Sequence, residues 1–429
     1  MKHTIRHLIC LLLCTATLST FCTGCDSTKI SAKNLMDGIS PASVSGSEPP
    51  QEEFPEQMTD FSLSLLRQIG KTSPEENRLL SPVSIEMALS LTANGAKDET
   101  LRQMETVLGG KMNMLSAAMN FYRETLSSEQ PKVLLANSLW MKEEGFSPNQ
   151  DFLQTAADYF RPDVFSAPFD DSTLEDINHW VSDKTDGLIT NTLDEIPPDT
   201  VLYLINTLLF DGKWKEPYGE HQIAGEYFHK EDGEEVPIQL MYSEESRYLE
   251  HELATGFLKP YEGGEYAFGA LLPREGMALE ELLEQLNGDT LQEILQNSLD
   301  TPVTAAVPKF SFDASAELKE PLKALGITDA FSPENANLSG LGTAGGNLYI
   351  SRILHKTHIA VDEAGTRAGT VTAVEVTSEG AALEIKSVIL NRPFLFFIVH
   401  QKTGALLFLG TFSISGIRQI GRASCRERV

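Results

Sequence analysis

One stretch near the end of the chain, Asp362 to Leu383 (DEAGTRAGTVTAVEVTSEGAAL), limits the possible folds more than any other. It opens on an acidic pair and the step Gly365-Thr366, and then alternates. One phase, Thr366, Ala368, Thr370, Thr372, Val374 and Val376, carries no charge, while Arg367, Glu375 and Glu379 fall on the other. A period of two with one uncharged face suits a strand that is buried on that face. Gly365, Gly369 and Gly380, with the Ser, Thr and Ala around them, read instead as an exposed loop. A segment with both characters is expected to have two states, one outside a sheet and one within it.

The 429-residue chain has 41% hydrophobic residues, ample for a large core. Its formal net charge of −27 argues against nucleic acid and against an anionic membrane surface as partners. Four of the five cysteines (Cys10, Cys14, Cys22, Cys25) lie in the first 25 residues and the fifth, Cys425, near the other end. The body therefore has no thiol for catalysis, cysteine-based metal binding or a disulfide, and its core alone must stabilise it.

The ends read as separate from that body. Lys2 and Arg6, an apolar run from Leu8 to Phe21 and a small-residue end make residues 1–24 a signal peptide, because the run is too short to span a bilayer. Thr23-Gly24-Cys25 resembles a bacterial lipobox, with Cys25 as the lipidated residue, although Cys22 stands where an aliphatic residue is usual. Export follows, to the cell surface as a lipoprotein or to the medium. Residues 25–55, rich in Ser, Pro, Gly and Glu, read as a flexible tether. The basic tail 417–429, with Arg418, Arg422, Arg426 and Arg428, reads as extraneous to the fold.

Within residues 56–416, helical spacing of Phe61, Leu65, Leu66 and Ile69 predicts a first helix. Ser81 is placed to cap a second, with Pro82 at its first position. Val133 to Trp140 predicts a strand, Phe152 to Tyr159 a helix, and Val201 to Phe210 a strand buried on both faces. Asn206 interrupts that last run and needs specific partners, since an unpaired buried amide is costly. Residues 223–273 read as several short strands, Leu279 to Leu286 as a helix, and Leu406 to Phe412 as a closing buried strand.

The run SPVSIEMALSLTANGAKDETLRQM, the block LKEPLKALGITDAF, the hinge DEAGTRAGT and the downstream NRPFLFF together resemble the serpins. The resemblance covers about residues 56–416 in one order. It implies one mixed α/β domain, the serpin fold, with three β-sheets, a dominant mostly antiparallel sheet, about nine helices and an exposed reactive-centre loop. It further implies hinge positions at Glu363, Gly365, Thr366, Ala368, Thr370 and Thr372. Ser81, Ser84, Asn206 and His355 match the polar cluster called the shutter, and Trp214 the tryptophan at the top of the sheet.

The implied activity is that of a suicide inhibitor rather than an enzyme. A serine endopeptidase, or by extension a cysteine endopeptidase, cuts the loop and is trapped as the acyl-enzyme when the loop inserts. Family spacing from Glu363 places the cut between Glu379 and Gly380; counting back from Pro393 leaves Ser378, Ala381 and Ala382 open. With no Arg or Lys between Ala368 and Ile385, elastase-like or glutamate-preferring targets fit better than trypsin-like ones. The alternative is a non-inhibitory serpin acting as a binding or carrier module, but the small uncharged hinge face favours inhibition. Ala364, in place of the usual charged residue, and the bulky Val371 depart from the pattern.

No cofactor is expected, and no metal. His355 and His358 would face opposite sides of a strand, which prevents chelation with Asp362. Lys111, Arg123 and Lys132 are dispersed among Glu124 and Glu129, so activation by heparin is not expected. A monomer is.

Overall fold

The computed structural model describes residues 30–42, 49–51, 53–71, 76–190, 192–366 and 386–414. The leader, Cys25, the hinge positions Ala368, Thr370 and Thr372, the bait positions Ser378, Glu379, Gly380, Ala381 and Ala382, and the basic tail lie outside the described residues.

Strands are numbered in chain order. The first sheet joins β1 (Lys33–Asn34), β3 (Ser128–Glu129), β4 (Lys132–Lys142), β6 (Asp163–Ala167), β7 (Leu202–Lys213), β13 (Phe310–Glu317), β15 (Arg352–Val361) and β16 (Gly365–Thr366). Their order is β1-β6-β4-β7-β16-β15-β13, with β3 beside β4. Pairing is antiparallel except for β4 with β6 and β7 with β15.

The second sheet holds β2 (Arg78–Leu80), β8 (Ile223–His229), β9 (Glu235–Glu250), β10 (Ala254–Pro260), β11 (Tyr266–Pro273), β12 (Leu299–Pro308), β17 (Lys386–Ile389), β18 (Phe394–His400) and β19 (Leu406–Phe412). Its order is β17-β12-β9-β10-β11-β18-β19-β2, with β8 beside β9. A two-stranded ribbon of β5 (Ser147–Pro148) and β14 (Gly342–Thr343) is the third sheet. With nine α-helices among the described residues, this is the mixed α/β architecture expected, and the two large sheets are nearly equal in strand number.

The helix Pro82–Ala93 lies under the first sheet, and all twelve of its residues are buried. A helix apolar on every side must be enclosed; this one touches β4 and β7 of one sheet and β19 of the other. Glu86, its only charged residue, is buried too, and burial lifts its carboxyl to about 8, leaving it neutral at pH 7. β7 answers the Val201–Phe210 run: Leu202 to Phe210 are all buried, between a helix below and strands on either side.

Two elements differ from expectation. The stretch expected as several short strands includes β9, sixteen residues long, because its first part pairs with β8 and its second with β10. A helix at Gly288–Gln296 also appears, started by Asn287, whose side chain accepts from Thr290 N–H. Within the stretch assigned to a tether, Lys33–Asn34 pairs as β1 with β6, and the buried Leu35 donates its N–H to Val164 O at 2.7 Å. No helix among the described residues is long and apolar enough to cross a membrane.

Candidate functional site

The site is the seam between β7 and β15. At its foot the two strands pair directly and in parallel, from Arg352↔Tyr203 to Lys356↔Thr207. At its head they part, and β16 lies between them, with Thr366 opposite Val361 of β15 and Gly212 of β7.

The foot gathers the predicted shutter residues. His355 lies opposite Asn206 in the register. Its Nε2 accepts the Ser81 N–H at 2.9 Å, so Nδ1 carries the proton and donates to Asn206 Oδ1. Full burial pushes the imidazole down to about 3, so it is neutral across the physiological range. Ser84 Oγ donates to Thr207 O at 3.4 Å, tying the buried helix to the strand above it. Asn206 thus has the specific partner its burial demands at Oδ1, whereas Nδ2 has none among the described residues. Ser81 does occupy the helix N-cap position, but its hydroxyl caps nothing; its backbone N–H is committed to His355 instead. His358, three residues along β15, faces the other side and binds Asp313 Oδ1 at 2.7 Å, so the two histidines do not converge.

At the head, Asp362 closes a turn on itself. Its Oδ1 accepts the N–H groups of Ala364 (2.8 Å) and Gly365 (3.2 Å), and its own N–H donates to Gly365 O at 3.0 Å. Gly365 is required here, since a Cβ would meet Gly212 O at 2.1 Å. Thr366 is 2% exposed, and its hydroxyl is 2.5 Å from Tyr261 OH. Of the expected hinge positions, Thr366 is therefore already inside the sheet. Glu363 pairs with Lys309 at 2.6 Å. Burial pushes the Glu363 carboxyl up, but the ammonium outweighs it and holds the group below the usual range.

Trp214 stands against this turn, stacked on Tyr261 at 4.6 Å between ring centroids. Its Nε1–H donates to Asp362 O at 2.9 Å, and its backbone N–H to Ala364 O at 2.9 Å. Tyr218 N–H reaches Glu363 O at 2.8 Å. Three successive hinge carbonyls are therefore held by one five-residue segment. Sequence reasoning picked Trp214 but missed Tyr218 and Tyr261, whose only sequence signal is aromatic character beside Gly and Pro turns.

A body of two large sheets and a short ribbon, whose first sheet parts at one end of the β7–β15 seam, defines a class that the sequence comparison identifies. Residues 56–414 match the Serpin (serine protease inhibitor) family, and the chain belongs to it. Human neuroserpin is 30% identical over 377 residues, covering 83% of this chain and 91% of that protein. Rat glia-derived nexin is 31% identical over 366 residues, covering 82% and 91%. Among solved structures, the thermophilic serpin tengpin in its native state superposes with a TM-score of 0.85 at 42% identity, covering 89% of this chain and 99% of that one. Tengpin in its latent state gives 0.75 at 40% identity, covering 85% and 98%.

Proposed function

We propose that this serpin is a suicide inhibitor of serine endopeptidases, with cysteine endopeptidases a second target class, and not an enzyme. The attacking serine forms an ester with the bait carbonyl while the downstream amine leaves. The freed loop then extends β16 down the seam toward the shutter. One observation carries the reading: β16 already occupies the head of the seam, and the residues that follow it keep a charge-free phase. From Thr366 to Glu379 the loop would span on the order of 45 Å fully extended, enough to carry a bound protease across a domain.

The bait bond is assigned to Glu379–Gly380, with Ser378, Ala381 and Ala382 as the alternative positions, and the targets to elastase-like or glutamate-preferring proteases. The protein is further assigned to a bacterial cell surface, lipid-anchored through Cys25, or to the medium, as a monomer. Incubation with a panel of serine proteases should give a heavier covalent band on a denaturing gel. The mass of the released fragment should place the cut within 376–383, and Cys25→Ser should release the protein from membranes.

The carrier reading has a separate support. A half-open cleft of about 650 Å³ is lined by Tyr122, Arg247, Gln292 and Lys402 among others, and human thyroxine-binding globulin superposes with a TM-score of 0.76 at 26% identity. No covalent band and no loop cleavage with any protease would favour it.

A further inference from the structure

Behind the head of the seam lies an ion pair that the mechanism above does not use. Lys259 of β10 is 2% exposed and Glu245 of β9 is 8% exposed, and Lys259 Nζ donates to Glu245 Oε1 at 2.8 Å. Ser243 Oγ donates to the same Oε1 at 2.7 Å. Removing two charges from water is expensive, and an apolar pair of similar volume is commonly as stable or more so. A buried pair of this kind therefore calls for a reason other than stability.

Its neighbours supply one. The ammonium lies 4.3 Å from the centroid of the Tyr218 ring and 5.5 Å from that of Trp214, within range for attraction to both ring faces. These two residues are the ends of the segment that grips the hinge carbonyls of Asp362, Glu363 and Ala364. Lys259 and Tyr261 are two apart and so lie on one face of the chain; Tyr261 stacks on Trp214 and meets the Thr366 hydroxyl. Lys215 N–H also donates to Pro260 O at 3.1 Å, fastening the gripping segment to the end of β10.

We propose that Lys259, oriented by Glu245, is a positioning residue for loop insertion: it pins the Trp214 and Tyr218 rings so that their segment keeps the Asp362–Gly365 turn closed and Thr366 seated in the seam. With the pin in place, the turn that starts the new strand exists before the protease arrives. Without it the turn opens, Thr366 leaves the seam, and each insertion must first reform the turn while water attacks the acyl-enzyme. The inference rests on the inhibitory reading.

The double variant Lys259→Met/Glu245→Met tests it, since it removes both charges and leaves neither one buried alone. Its melting temperature should match the parent's, and the rate at which a target protease first cuts the loop should not change. The number of inhibitor molecules consumed per trapped protease should rise three- to tenfold. A merely structural pair would lower the melting temperature and leave that number alone. Parent-like consumption by the stable double variant overturns the pin and leaves the inhibitory reading standing. A parent that traps no protease at all overturns the inhibitory reading first, and the pin with it. If the double variant fails to fold, Lys259→Arg, which keeps a cation against both rings, gives the second measurement: parent-like consumption supports the pin, and consumption raised as far as the loss of the turn predicts overturns it.

Discussion

The two ends of the β7–β15 seam are built on different plans. At the foot, fixed parts of the body hold one another: a strand paired with a strand, the Pro82–Ala93 helix hydrogen-bonded to β7, and His355 bridging Ser81 and Asn206. At the head, the body holds the loop itself, through three carbonyls, the Lys309–Glu363 ion pair and the Thr366 hydroxyl. The head is open and occupied; the foot is shut. Under the proposed mechanism, insertion would start from the end where the first strand pairing exists and run toward one where pairing has to be broken. Ser81 Oγ and Asn206 Nδ2 have no partner at the shut end among the described residues, and groups left so cost about 1–3 kcal/mol each.

The strongest way to break this contrast is Thr366→Arg. It places a charge beneath Tyr261, where burial without a partner costs several kcal/mol, and 1.4 kcal/mol on the insertion barrier already shifts the partition about tenfold. The variant should be cut at the parental bond and release active protease, read as loss of the covalent band. Unchanged trapping would show that insertion does not begin at the head.

The foot is addressed by pH. His355 titrates near 3 in the folded protein against an ordinary value of 6.5, so the unfolded chain binds more protons between those values and stability rises with pH. This contribution is complete above about pH 6.5 and is lost progressively toward pH 3, amounting to roughly 2 kcal/mol by pH 5. Denaturant midpoints measured from pH 7 to pH 4 should fall more steeply for the parent than for His355→Asn; equal slopes would remove the imidazole from the lock.

Lys309→Met should act only at the head and modestly. The pair is part-exposed, and such contacts contribute about 0.5–1 kcal/mol, so a two- to fivefold rise in inhibitor consumed per protease is expected, without a change in pH dependence. Leu35→Ala is the control at the far edge of the same sheet. It should lower stability by about 2–3 kcal/mol in thermal unfolding, the low end for a buried leucine, and leave trapping as it is. A change in trapping would mean that the edge and the seam communicate.

The foot was more legible in the sequence than the head. Asn206 stands out as the one amide in an apolar run, and Ser81-Pro82 as a helix start, because both signals are local. What Ser81 does there was not legible, since its N–H meets a ring 274 residues away. The alternation after Gly365 announced a strand, but not that its first residue is already seated; that depends on Tyr261, 105 residues earlier. Lys259 and Glu245 carry no local signal within the stretch 223–273, and the pairing of β9 with β10 brings them together. Local periodicity identifies which segments can enter a sheet, whereas contacts between distant strands determine which have done so.

The second sheet has a consequence in time. β19, at the end of the chain, lies between β18 and β2, and Arg78 N–H meets Thr411 Oγ1, 333 residues later. A ribosome adding about 5–20 residues per second delivers the two halves of that contact roughly 15–70 s apart. Throughout that interval the buried helix that follows β2 has no β19 to pack on. The bait segment emerges during the same interval, before the strand that completes the floor of the molecule. Nascent chains should therefore be susceptible to proteolysis until nearly the last residue of β19 has been added.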